Sequence, residues 1–236
     1  MGAVYLLTIR QMSGRWRLAI MSVLVALPVL ITLVVLRGNA PSVAEYEEVV
    51  LSAMLAGSIV PLVVLAIGAP AFANEIEDRT LANLVLSPLP RWQVALPKLV
   101  ATLTLTVPFV AASALVTAHV AFLGDARATM AVASAAVLGV ALYSAAFTWL
   151  GLVTTQAIGV GLLYVVLWED FFAGFVPGVR LLSIRYHSLA LMQGLDARRF
   201  AGFENPSLAV VLVTSGVVFG GFLLLSVRRL RRMDVP

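Results

Sequence analysis

Residues able to do chemistry are few in this chain, and the usual catalytic constellations are missing. A P-loop needs G-x-x-x-x-G-K-[ST], because its lysine holds the terminal phosphates of the nucleotide. The one lysine, Lys98, follows Ala95, Leu96 and Pro97 and precedes Leu99. No ATP site of that kind is expected, and so no cofactor in this chain. Neither H-E-x-x-H nor G-x-S-x-G occurs, which removes two common hydrolytic designs. The two histidines, His119 and His187, stand far apart, whereas zinc sites need three or four ligands. No metal is expected, and His119 reads as a hydrogen-bonded interfacial residue. Cysteine is absent, so disulfides, thiolate metal sites and thiol nucleophiles are excluded. Two polar groups remain to be placed. Glu75, Glu77, Asp78 and Arg79 form one, and Glu169 with Asp170 the other.

The elements that carry them follow from hydropathy. Of 236 residues, 61% are hydrophobic and 12% charged, about half the charged share of a soluble domain. Too few polar residues exist to cover a water-facing surface, so a bilayer must supply part of the solvent. A spanning helix needs about 20 apolar residues. Five uncharged runs qualify: 18–36, 49–73, 99–123, 128–168 and 207–227. As one helix, the fourth would reach about 60 Å, twice the hydrocarbon thickness. It must fold back, and Gly151 to Gln156 is its most polar stretch, which predicts six crossings. The run 18–36 exceeds a secretory h-region and reads as a retained helix.

Six crossings bring both termini to one side. Arg10, Arg15, Arg17, Arg79, Arg91, Lys98, Arg228, Arg229, Arg231 and Arg232 would share that side. The short loops opposite hold Arg37 and Arg127 beside Glu45, Glu47 and Glu48. The positive-inside rule then predicts cytoplasmic termini and a cytoplasmic 74–97 loop. Arg180, Arg185, Arg198 and Arg199 fall in a long outer segment, where the rule weakens. The net charge of +4 is thus accounted for by orientation, and nucleic-acid binding is not expected. Residues 1–16 mix Val4, Leu6, Leu7, Ile9 and Met12 with Arg10, Gln11, Ser13 and Arg15, the pattern of an interfacial helix. The arginines at 228–232 read as an anchor against anionic lipid.

The segment from Asn74 to Arg91 is the most informative. Its acids stand where the second helix reaches the cytoplasm. Leu81, Leu84 and Val85 recur at helical spacing on one face, and Ser87-Pro88-Leu89-Pro90 ends the pattern, since proline has no N–H to give. The expectation is a short helix under the membrane, able to pass on a push from a soluble partner.

This segment resembles the signature of the ABC type-2 transporter permeases, E-x-E-x-G-T-L-x-x-L-x-x-x-P-x-x-R between the second and third membrane helices. Glu75, Glu77, Thr80, Leu81, Leu84, Pro88 and Arg91 match it. Arg79 departs, standing where the pattern has glycine. The resemblance implies a permease that pairs with a second copy or a paralogue and binds cytoplasmic P-loop ATPase subunits. ATP and Mg would be bound by that partner. The 74–97 loop would be the coupling element, with Glu75, Glu77 and Arg91 docking and Leu81 and Leu84 packing into an ATPase cleft. Glu169 and Asp170 would lie about 20 Å along the fifth helix, a depth where acids are expensive unless paired or solvated. With Pro177 and Gly178 as breakers and Arg180 or Arg185 as partners, they read either as an outer gate or as an early helix end in water. Segment 169–206 resembles the re-entrant external segment of the family.

The reading is therefore all-α: a single polytopic domain, 1–236, with six transmembrane helices, an N-terminal interfacial helix and a re-entrant segment between helices five and six. Its expected function is that of the permease subunit of an ABC exporter in a bacterial plasma membrane. The cargo would be hydrophobic or amphiphilic. A haem-exporter-like permease and a non-transporting scaffold or sensor subunit are the alternatives. An intramembrane enzyme is disfavoured because no catalytic constellation lies within the helices.

Overall fold

A computed structural model describes residues 2–38, 42–78, 90–172, 182–200 and 207–232, the side chains of Ala3, Asp170 and Phe172 excepted. Among the described residues the chain is helical and carries no strand. The apolar runs dictate this, because in hydrocarbon a helix satisfies every backbone N–H and C=O within its own segment.

Helix α1 (Gly2–Met12) is short and ends at Ser13 and Gly14. Its residues Val4, Thr8 and Met12 are buried at i, i+4 and i+8, and Tyr5 donates to Thr104 Oγ1 at 3.3 Å. Five helices are long and apolar enough to cross a membrane: α2 (Arg15–Arg37), α3 (Val43–Glu77), α4 (Trp92–Ala121), α5 (Ala126–Val153) and, at the end of the chain, α8 (Leu208–Arg231). Between α5 and α8 lie two shorter pieces. Helix α6 (Ala157–Tyr164) continues as a π-helical stretch, Val165–Phe172, and α7 spans Ile184–Leu195.

The expected fold-back appears, with α5 stopping at Val153 and α6 starting at Ala157. Five helices, not the expected six, are long and apolar enough to cross among the described residues. The piece after the turn is shorter than the other five, and its last part, from Val165, is π-helical. Helix α3 also runs further than its apolar core implies, reaching Glu77 rather than Ala73. A capping box starts it: Ser42 Oγ accepts from Glu45 N at 3.2 Å, and Glu45 Oε2 accepts from Ser42 N at 2.9 Å. Thirteen residues of α3, Glu47–Ile59, are π-helical.

The helix ends sort into two groups. At one, Phe72 of α3, Val94 and Ala95 of α4, Leu152 of α5 and Leu230 of α8 form an apolar cluster. At the other, Tyr46, Phe122 and Phe200 stack edge to face, and Arg199 meets Asp125 at 3.2 Å. Helix α5 lines the middle and is the most buried of the long helices. Its contact with α3 depends on Gly151, where a Cβ would overlap the Ala69 carbonyl. Gly216 and Gly220 of α8, spaced for tight helix packing, have open space beside them.

Candidate functional site

Among the described residues Glu47, Glu75, Glu169 and Asp196 are buried carboxylates; the two that the sequence singled out, Glu75 and Glu169, lie one at each flank of the α3–α4–α5 core. The first is Glu75. Because α3 continues past Ala73, Ala71, Phe72 and Glu75 share a face at i, i+1 and i+4. That face points at α4, where Lys98 is fully buried. Lys98 Nζ lies 2.5 Å from Glu75 Oε2, donates to the Ala71 carbonyl at 2.5 Å, and sits 4.3 Å from the centre of the Phe72 ring. The ammonium thus meets a carboxylate, a carbonyl and an aromatic face, which together replace much of its lost hydration.

Sequence reading put Lys98 in a cytoplasmic loop and turned Glu75 toward a partner. Lys98 is instead seven residues into α4, and Glu75 is 7% exposed. The signal that could have found the pair is the setting of Lys98, between Pro97 and the apolar run from Leu99. Glu77 and Asp78, one turn on, are exposed. Arg91 is half-buried at the start of α4, its carbonyl accepting from Val94 N at 3.2 Å and Ala95 N at 3.1 Å. The pair therefore bridges the two helices that enter and leave the segment between Asp78 and Arg91. Arg79, Thr80, Leu81, Leu84 and Pro88 lie outside the described residues.

The second carboxylate is Glu169, 1% exposed. It stands twelve residues beyond Ala157, the start of α6, on the π-helical stretch that continues that helix. Tyr164 donates to its Oε1 at 3.0 Å and Ser183 Oγ to its Oε2 at 2.5 Å. The backbone amides of Ile184 and Arg185 donate to the same group at 2.9 and 3.3 Å. Glu169 thus caps α7 from another helix and satisfies two of the amide donors that a helix start leaves open. Ser183 completes the cap, its Oγ accepting from Tyr186 N at 3.1 Å. The reading of Glu169 as a helix end in water is corrected: the carboxylate is enclosed by donors. Arg185 reaches it through its amide, while its guanidinium Nη2 donates to Ser52 Oγ of α3 at 2.9 Å. Pro177, Gly178, Arg180 and the Asp170 side chain lie outside the described residues.

Helix α7 is held on every side by such contacts. Gln193 Nε2 donates to Glu47 Oε1 at 3.4 Å, so two of its residues reach the π-helical stretch of α3. His187 lies between the Ser183 carbonyl at 2.8 Å and Thr214 Oγ1 of α8 at 3.1 Å. Ser188 packs where a Cβ on Gly139 of α5 would be 2.8 Å from its Oγ. Arg127 Nε donates to the Leu195 carbonyl at 3.1 Å, at the Asp125 end of α5. The hydrogen-bonded histidine is therefore His187, and His119 is exposed. No group of three or more potential metal ligands occurs among the described residues.

A buried Glu75–Lys98 ion pair joining the two roots of the 78–91 segment, and a short polar-held helix at the opposite end, are the features a family must explain. The family model described as ABC-2 family transporter protein matches residues 9–182, the greater part of the chain. The chain belongs to the ABC-2 transporter family. It is accordingly a membrane permease of an ABC transporter, a component distinct from the ATPase, and such permeases work with ATPase partners. The matched region holds Glu75 and Glu169 and stops before α7 and α8. Comparison with curated proteins gives no match.

Proposed function

We propose that this permease is the membrane subunit of an ATP-driven exporter, moving a hydrophobic or amphiphilic molecule out of a bacterial cell. The observation that carries the reading is the Glu75–Lys98 pair, which ties the helix entering the 78–91 segment to the helix leaving it. A separate P-loop ATPase would receive that segment, with Glu77 and Arg91 as polar contacts and Leu81 and Leu84 as apolar ones. Arg79, Thr80 and Pro88 would shape the turn. Glu75 then acts from inside: a push on the segment moves α3 and α4 together, because separating them would strand a charge in the bilayer.

From α4 the movement passes to α5, and Gly151 keeps α5 against α3. Helix α7, held by Glu169, Ser52 and Thr214, is the element whose shift would open the outer end. Asp170, Pro177, Gly178 and Arg180 belong to the same gate. Six crossings, with α6 and its π-helical extension as the short one, leave both termini in the cytoplasm of a bacterial plasma membrane. A second copy or a paralogue completes the pathway. A mostly apolar pathway would favour lipid-like or drug-like cargo over inorganic ions.

The decisive experiment uses the absence of cysteine. An Ala82→Cys variant should react with an impermeant thiol reagent only from the cytoplasmic side, and Glu77→Lys with Arg91→Glu should weaken co-purification of the ATPase about tenfold. Labelling of Cys at 82 on intact cells, or full ATPase binding after both reversals, would overturn the assignment.

A further inference from the structure

At the helix ends that carry the Phe72–Leu230 cluster, the last turns of α8 and α5 enclose a recess of about 370 Å³. It is lined by Trp149 and Val153 of α5 and by Leu225, Arg228, Arg229 and the C-cap Arg232 at the end of α8. At 100° per residue, those four residues of α8 and its C-cap fall within an arc of about 100°. Arg231, on the same turn, does not line the recess. The floor is apolar and aromatic, with Trp149 set against Phe222 at 5.6 Å between ring centroids. The rim carries three guanidinium groups, and all three arginines are exposed. No salt bridge to any of them occurs among the described residues.

We infer that this recess binds one anionic phospholipid, its phosphate on Arg228, Arg229 and Arg232 and an acyl chain on Trp149, Val153 and Leu225. The division of labour is that of a lipid at the membrane boundary. Guanidinium groups bind phosphate oxygens in bidentate fashion, and tryptophan prefers the headgroup level. The 20 residues from Leu208 to Val227 carry no charge, enough to cross the hydrocarbon, so the arginines emerge at the headgroup layer. The volume falls in the range of small-molecule sites and exceeds what a single inorganic anion fills. The site differs from general attraction of a basic tail to a charged surface, because Arg231 is excluded and two residues of another helix contribute.

The test is lipid binding to the full-length chain in detergent, followed by native mass spectrometry with phosphatidylglycerol and, separately, phosphatidylcholine. One phosphatidylglycerol per chain should survive purification, and phosphatidylcholine should not replace it. R228Q/R229Q/R232Q should weaken binding on the order of a hundredfold, at about fivefold for each charge near an anionic surface. R231Q should cost no more than one such factor. W149A should weaken phosphatidylglycerol several-fold with every arginine in place. Equal retention of both lipids, or a loss from R231Q alone that equals the triple variant's, would overturn the site. Displacement of the lipid by millimolar glycerophosphate would make it a free-phosphate site and overturn it too. Unchanged helicity and elution volume of the variants separate lost binding from lost fold.

Discussion

Glu75 and Glu169, both buried, meet the same physical problem with different partners. A carboxylate held away from water is expensive until its lone pairs are met. Glu75 is met by a whole opposite charge, the Lys98 ammonium, across the gap between α3 and α4. Glu169 is met by hydroxyls of Tyr164 and Ser183 and by two amides at the start of α7. The first arrangement welds two long helices at their roots. The second holds a short helix by its end, where the helix dipole adds to the hydrogen bonds. The first joins its helices through opposite charges; the second rests on a few directional bonds.

That contrast can be broken from either side. The largest effect belongs to Lys98→Met or Glu75→Leu alone, each leaving a buried charge without its partner. Either should destabilise by about 3–5 kcal/mol, while the double variant recovers most of the loss. Denaturant melts of the three variants check this, and equal losses in all three would mean that the two groups are not coupled. Next comes Glu169→Ala, which strands the Ile184 and Arg185 amides. Each charge-assisted bond is worth about 1.5–3 kcal/mol, so hydrogen exchange at those amides should accelerate about tenfold or more, with little change at α3. Global unfolding of the variant would instead show that the two carboxylates play one role.

Gly151→Leu should cost about 1–3 kcal/mol by overpacking against Ala69, and should impair transport more than ATPase binding. The smallest effect is that of Ser52→Ala, which removes one bond to the Arg185 guanidinium, about 1 kcal/mol. A transport rate that changes with Ser52 while stability does not would assign the π-helical stretch of α3 to gating.

Much of the frame was legible in the residue order. Runs of uncharged residues mark α2 to α5 and α8, and the polar stretch 151–156 marks the fold-back, because spanning a bilayer leaves a signal confined to each segment. The ion pair was not legible in the same way. Glu75 and Lys98 are 23 residues apart; the sequence assigns Glu75 to docking and Lys98 to the positive charge of a loop, because nothing in it shows that α3 runs on to Glu77. Glu169 was recognised as misplaced in hydrocarbon, but its partners are backbone amides, and no residue type announces those. The π-helical stretches, which bring Glu47 and Ser52 toward α7, likewise have no compositional mark. Long-range pairing and backbone register are settled by tertiary contact, which local pattern does not encode.

The burial of Lys98 has a practical corollary. It carries the only side-chain amine in the chain, and cysteine is absent, so a folded molecule offers side-chain-directed acylating and alkylating reagents almost no purchase. Modification at position 98, appearing with time or with nucleotide turnover, would therefore act as a clock for the parting of α3 from α4, read against a silent background.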